Sequence, residues 1–411
     1  MLDLLVLAGD KTMHHIEPVL QRLGMEVAQA TYDLEAILSH NPKVVLCLDD
    51  YHILYSNVLA QVRQRNIGIL MMFDGILEWR RTFEYPLEGE HLPFEQPVGA
   101  HKIACLGASQ ARLLESWGNV GKCEIVGVPR FDQLAKNPPP VPPGPPYRVL
   151  VMTAKTPGFN TEQFEACRRS IEDVRAEAAK LENVELVWRV SPKIQAALGL
   201  EERGLDTRGA ELHKQLAGVH AVITTMSTTY LESLLARRPT AVLDYTNSPH
   251  FISPSWRICC RDHIAAVLRE LIDPPKVKMA YQEFVLRDSL YLEEPATERL
   301  GRLLQAMVQH VKANPARTPL RFPDRMLPVR SDGLWEKINW ERYFAAYPHF
   351  SPDATMPTAR DYQAAVSSAA YWEKKHCEYV ARLGRIPVLG FFKRTAGRVL
   401  GLHRKSRYRA S

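Results

Sequence analysis

The sequence predicts an α/β protein built from two units, each a parallel β-sheet covered by helices on both faces. Three observations carry that prediction. Short continuous apolar runs alternate with helical segments, at 2–8 (LDLLVLA), Val44–Leu48, Gly68–Phe73, Lys102–Leu106 and Glu124–Val128, then again at Arg148–Met152, Val184–Val190, His220–Ile223 and Ala241–Leu243. Runs without polar alternation belong to strands buried on both faces, the pattern of parallel sheets. Between the two series lies NPPPVPPGPP, residues 137–146, with seven prolines in ten residues. Proline lacks a backbone N–H and fixes φ, so this stretch is a stiff extended linker and a domain boundary.

The first series opens at the N-terminus, where MLDLLVLAGDKT reads as a first strand and not as a signal peptide, having no basic n-region. A helix is expected from after Gly9 to about Leu23, and another over 56–65. In parallel sheets ligands bind beyond the carboxyl ends of the strands. Asp49-Asp50 and the segment from Asp74-Gly75 to Arg81 stand at such ends. Residues 82–100 read as a loop and Ser109–Trp117 as a helix, and the last strand runs into Gly127-Val128-Pro129-Arg130-Phe131-Asp132.

In the second series a loop from Thr153 to Gly158 precedes a long helix, Thr161–Leu181. The next strand ends in Arg189-Val190-Ser191-Pro192-Lys193, followed by a loop with a short helix near 210–216. Then comes the stretch with the most chemical content, VHAVITTMSTTYLESLLARRPTAVLDY, residues 219–245. A buried strand breaks into the hydroxyls Thr224, Thr225, Ser227, Thr228 and Thr229. A helix follows with Tyr230, Leu231, Leu234 and Leu235 as apolar positions, and Arg237-Arg238-Pro239 stops it before another strand. Hydroxyls at a helix start meet backbone N–H groups that have no intrahelical partner. They can cap the helix, and the same place binds anions. Glu232 is expected in the first turn, within reach of a ligand held there. Residues 245–262 read as loop, Asp262–Leu271 and Thr297–Val311 as helices, 314–328 as a proline-rich stretch and 333–383 as aromatic-rich helical pieces.

A hydroxyl-rich turn, a Glu, a helix ended by a basic residue and Pro, and a returning strand are together similar to the nucleotide-sugar site of GT-B-type glycosyltransferases. The bacterial transferases of capsule, lipopolysaccharide and teichoic-acid polymers are the nearest in kind. The Gly127-x-Pro129-Arg130-x-Asp132 segment resembles the one that closes the N-terminal half in those families. The resemblance covers about residues 1–312. It implies two Rossmann-like domains facing across a cleft, and with the proline linker and the C-terminal charge the chain divides into an N-terminal acceptor domain (1–136), the linker (137–146), a donor domain (147–312), a helical C-terminal extension (313–384) and a basic tail (385–411). It further implies donor contacts from Ser227, Thr228, Thr229 and Glu232. Lys155, Arg189, Ser191 and Lys193 are added as phosphate or donor ligands by their places at strand ends. In these families the strand before Pro192 commonly ends in His-Pro. Here Ser191 replaces the His, which leaves a changed donor or an inactive scaffold open.

Glycosyl transfer needs a stabilised leaving phosphate and, in inverting enzymes, a base for the acceptor hydroxyl. The helix N-terminus with nearby cations supplies the first without a metal. Asp74 is the first candidate for the base, since Asp-Gly after a buried strand resembles the acidic-residue–Gly element of bacterial sialyl- and polysialyltransferases; Asp49 is the second. A helix cap beginning near Ile76 is the structural alternative for Asp74. Asp49-Asp50, His14-His15 and His52 lack metal-ligand spacing. G-x-G-x-x-G, the Walker A loop and G-x-S-x-G are all absent, which removes dinucleotide oxidoreductase, P-loop ATPase and the usual hydrolase elbow. The expectation is a metal-independent glycosyltransferase without cofactor, taking a nucleotide-sugar as substrate and a glycan or glycolipid as acceptor. The alternatives are a GT-B sugar-nucleotide epimerase or hydrolase, and an inactive scaffold.

Charge and cysteine usage place the protein. Eight Lys/Arg and no acid occupy 385–411, which leaves the rest of the chain near −2, the net +6 less those eight. A near-neutral body argues against a nucleic-acid surface. Residues 387–402 form an amphipathic pattern, and Lys393, Arg394, Arg398, Arg404 and Lys405 are expected to meet an anionic membrane surface. Seven cysteines without C-x-x-C point to reduced thiols and a cytoplasmic protein, peripheral on the inner face of the plasma membrane.

Overall fold

The computed structural model describes residues 2–9, 13, 15–48, 53–73, 75–84, 96–200, 212–315 and 319–328. All of them lie in one compact unit, Met1–Ala346. The aromatic-rich pieces at 333–383 and the tail from 385 on fall outside the described residues.

The first half runs β1 (Leu4–Leu7), α1 (Glu17–Leu20), β2 (Val27–Ala30), α2 (Leu34–His40), β3 (Val44–Cys47), α3 (Ile53–Arg63), β4 (Gly68–Met72), a π-helical turn (Arg80–Glu84), β5 (Lys102–Cys105), α4 (Ala108–Ser116), β6 (Cys123–Ile125), a 3-10 turn (Pro129–Phe131) and α5 (Asp132–Lys136). The second runs β7 (Tyr147–Met152), α6 (Thr161–Ala178), β8 (Val184–Arg189), α7 (Pro192–Leu198), α8 (Leu212–Ala217), β9 (Ala221–Thr224), α9 (Thr228–Leu235), β10 (Thr240–Leu243), β11 (Trp256–Ile258), α10 (Arg261–Ile272), α11 (Lys276–Ser289) and α12 (Ala296–Ala313). The sheets are ordered β2-β1-β3-β4-β5-β6 and β11-β10-β9-β7-β8. Every described strand pair is parallel. In each sheet the chain steps one way and then reverses, between β1 and β3 and between β7 and β9. Those reversal points open crevices at the carboxyl ends of the strands.

Four of the continuous apolar runs, β1, β3, β4 and β5, are covered at every position, whereas β8 is fully buried only at Trp188. Most of the elements that the pattern missed are short or half-buried. Strand β2 sits at the sheet edge with no fully buried residue, so VAQA carries no strong period. Helix α7 occupies what reads as loop after Lys193. Ser191 caps it and Pro192 takes its first position, where a missing N–H costs nothing. Strand β11 lies in the stretch 245–262 that reads as loop, and α11 is amphipathic too weakly to stand out. Within the segment expected to be helical from after Gly9 to about Leu23, the described helical residues are Met13 and Glu17–Leu20.

The last helix follows the second half in sequence but packs on the first. Leu300, Leu303, Leu304, Met307, Val308 and Val311 form one stripe of α12 and join the core of Leu4, Val6, Val44, Leu46, Leu70 and Met72. Chain beyond α12 continues over the same half. The buried Lys102 ammonium reaches Glu124 at 2.9 Å, the Gly121 carbonyl and the Asp324 carbonyl, while Glu124 accepts from the backbone N–H groups of Met326 and Leu327. A buried ion pair with its remaining valences filled in this way fixes a chain position.

The linker is tied down as well. Arg238 is wholly buried, and its guanidinium donates to the carbonyls of Leu216, Ala236, Pro139 and Pro140. Burial lowers its pKa to about 10. No described helix is long and apolar enough to cross a membrane.

Candidate functional site

The crevice of the second sheet brings three strand ends together. Ala154 N–H donates to Thr225 Oγ1 at 2.7 Å, joining the loop after β7 to the turn after β9. Ser191 N–H donates to Thr153 Oγ1 at 2.8 Å, joining the end of β8 to the same loop. The loop bearing Lys155, the residue Ser191 and the hydroxyl turn are therefore neighbours, as the strand-end argument expects. Lys155 and Lys193 are both exposed. Arg189 turns to α8, its Nη1 donating to Gln215 Oε1 at 2.8 Å. The Ser191 hydroxyl accepts from Ile194 N–H at the start of α7, so this side chain has a capping role.

The turn before α9 is built from side chains that bond to one another. Ser227 Oγ and Thr229 Oγ1 lie 2.7 Å apart, and Thr224 Oγ1 is 3.3 Å from Thr229 Oγ1. Ser227 occupies the cap position in extended conformation, yet makes no side-chain cap bond. The capping alternative does not describe it. Thr228 faces the first half of the chain: its Oγ1 accepts the backbone N–H of Ile76 at 3.2 Å. Gly75 makes that approach possible, since a Cβ there would lie 2.0 Å from Thr228 Oγ1. The loop after β4, which carries the expected Asp-Gly element, is thus seated on the hydroxyl turn. Gln110 supports it by donating to the Gly75 carbonyl at 3.4 Å while accepting Leu106 N–H at 2.8 Å. A cavity of about 20 Å³ between the halves, lined by Ile76, Leu77, Leu113, Phe251 and Ile252 among others, has room for no more than a water.

Glu232 lies one turn into α9, not in its first turn, and is buried. Its Oε1 accepts from Arg130 Nη1 at 2.9 Å, and His213 Nε2 is 3.9 Å from Oε2. The partner comes from the Gly-x-Pro-Arg-x-Asp segment, and the structure gives its Gly, its Arg and its Asp each a task. Gly127 adopts φ +95°, and a Cβ there would meet the Ala296 Cβ at 2.9 Å. Asp132 accepts from Ala296 N–H at 2.8 Å and Thr297 N–H at 2.9 Å, a carboxylate on the positive end of α12. The motif marks this segment in the sequence, but nothing local in it places Arg130 in the site. His213, on a six-residue helix, carried no signal at all.

Beyond β10, Asp244 gathers His250, Arg257, Thr246 and Ser248 around one carboxylate. Burial pushes its carboxyl up, but these hydrogen bonds win and hold it far below the usual range. The network fixes the loop that carries Phe251 and Ile252 to the cavity. Asp74, Asp49 and the tail cations Lys393, Arg394, Arg398, Arg404 and Lys405 lie outside the described residues.

No protein-family model matches the chain, and no curated protein matches its sequence. Solved structures do. The Staphylococcus aureus MnaA–UDP structure aligns with a TM-score of 0.55 at 13% identity, covering 75% of this chain and 97% of that one. The wall teichoic acid polymerase TagF with CDPG aligns at 0.50 and 12% identity, covering 77% and 90%. The Methanocaldococcus jannaschii UDP-GlcNAc 2-epimerase with UDP-GlcNAc and UDP aligns at 0.51 and 10% identity, covering 74% and 99%. At such identities the likeness is one of fold. The chain is an α/β protein with the GT-B fold, two parallel sheets each covered by helices.

Proposed function

We propose that the protein is a glycosyltransferase that moves a sugar from a nucleotide-activated donor to a surface-polysaccharide or glycolipid acceptor without a metal. The observation that carries the reading is the seating of the β4 loop on the hydroxyl turn. It sets the turn at the start of α9 beside the element expected to bear the base, in a fold shared with the UDP-bound and CDPG-soaked enzymes. In this reading Ser227, Thr228 and Thr229 with the N-terminus of α9 receive the leaving phosphate. Glu232 contacts the donor, and Lys155, Arg189 and Lys193 add positive charge at the rim. Asp74, or Asp49 in second place, takes the acceptor proton. The tail brings the enzyme to an anionic membrane carrying the acceptor.

A sugar-nucleotide epimerase or hydrolase is the second reading. The likeness of fold to the UDP-GlcNAc 2-epimerase structure with UDP-GlcNAc and UDP supports it. Thermal stabilisation against CMP, CDP, UDP, GDP and ADP tests both. A ligand at 100 times its dissociation constant adds about 2.7 kcal/mol. A response to one base, lost in Ser227→Ala/Thr228→Ala, is the expected result. No response to any of the five refutes both readings and leaves the scaffold. Incubating the matching nucleotide-sugar without acceptor then separates the two: an epimer or a free sugar identifies the second.

A further inference from the structure

Arg130 is held as a functional residue is held, and most of its hydrogen-bonding capacity is unspent among the described residues. Its backbone sits in the 3-10 turn Pro129–Phe131, between the tight Gly127 approach to Ala296 and the Asp132 clamp on α12. Its guanidinium lies 4.3 Å from the centroid of the Phe131 ring, which fixes the plane of the fork. Nη1 makes the bond to Glu232. The opposite edge, Nε and Nη2, makes no hydrogen bond among the described residues, and Nε is buried. A buried N–H without an acceptor is costly, and a guanidinium edge with two parallel donors matches a pair of phosphate oxygens. Glu232 meanwhile needs Nη1 where it is, since a buried carboxylate stripped of its cation is strongly unfavourable.

We propose that Arg130 is a phosphate-recognition residue of the nucleotide site: Nη1 stays on Glu232, and the Nε–Nη2 edge receives the phosphate oxygens of a nucleoside diphosphate. The inference rests on the reading of 227–232 as a nucleotide site and adds to it a cation delivered by the other half of the chain. Ligand phosphate then bridges the two halves, with the α9 hydroxyls on one side and Arg130 on the other.

Calorimetric titration of the full chain with UDP and CDP, and with uridine and cytidine, tests the assignment. Arg130→Lys keeps a charge beside Glu232 but has no planar edge. The expected result is a loss of about tenfold or more in diphosphate affinity with nucleoside affinity nearly unchanged. Equal diphosphate binding by wild type and Arg130→Lys overturns the proposal. So does a parallel loss for diphosphate and nucleoside, which would make Arg130 only a support for Glu232. Should Arg130→Lys not fold, the doubly neutral Arg130→Gln/Glu232→Gln reads the same ratio. If the wild-type chain binds no nucleotide at all, the reading of the turn itself fails, and this inference with it.

Discussion

Lowering the pH from 7.5 to 5.0 is expected to destabilise the protein through one histidine. His101 stands just before β5, where its Nδ1 accepts the backbone N–H of Ile69 at 3.1 Å and its backbone N–H donates to the Ile69 carbonyl at 3.0 Å. An accepting Nδ1 belongs to the neutral ring, with the proton on Nε2, and that atom is buried without a partner among the described residues. Burial, with added repulsion from Arg63 and Lys122, lowers its pKa to about 3 from 6.5. Above pH 6.5 neither the folded nor the unfolded ring is charged and the residue contributes no pH dependence. Below it the unfolded chain binds a proton that the folded chain refuses. Stability therefore falls as the pH drops, by about 1.4 kcal/mol per unit, or about 2 kcal/mol at pH 5.0. Asp244 does not blur this window: its depressed carboxyl contributes stability above the ordinary carboxylate range, lost only in stronger acid. Urea unfolding at both pH values, on wild type and His101→Asn, measures the effect. Asn Oδ1 can accept from Ile69 but cannot be protonated. Wild type is expected to lose about 2 kcal/mol more than the variant, and an identical loss in both would refute the reasoning.

Two further outcomes follow from close contacts. Gly75→Ala places a methyl 2.0 Å from Thr228 Oγ1 and is expected to cost about 1–3 kcal/mol in urea midpoints, with Thr228→Ala restoring part of it. Strict additivity of the two substitutions would show that the halves do not meet there. Arg238→Met strips four backbone carbonyls of their donor, and a loss of about 3 kcal/mol or more is expected, together with faster protease cleavage within 137–146. Unchanged stability and cleavage would mean that Arg238 does not hold the linker.

The sequence by itself determined the fold class, the linker and the location of the hydroxyl turn, because each has a local physical signature. A strand buried on both faces must be apolar at every position, as in VVLC and GILMM. Seven prolines admit nothing but extended chain, and hydroxyls between an apolar run and a helical stripe sit where helix N–H groups are free. Edge strand β2 and helix α11 were illegible for the converse reason: half-buried elements carry half the pattern. The tertiary structure alone decided which groups meet. The apolar stripe of α12 says only that one face is buried; packing placed it on the first sheet, not beside its sequence neighbours. Ser191 is equally fit for a ligand or a cap until Ile194 N–H is seen beside it. Nothing local joins Arg130 to Glu232, 102 residues away, or Gly75 to Thr228. Periodicity encodes how deeply a residue is buried, whereas the partner of a buried charge or a bare Cα is set by how two distant surfaces fit together.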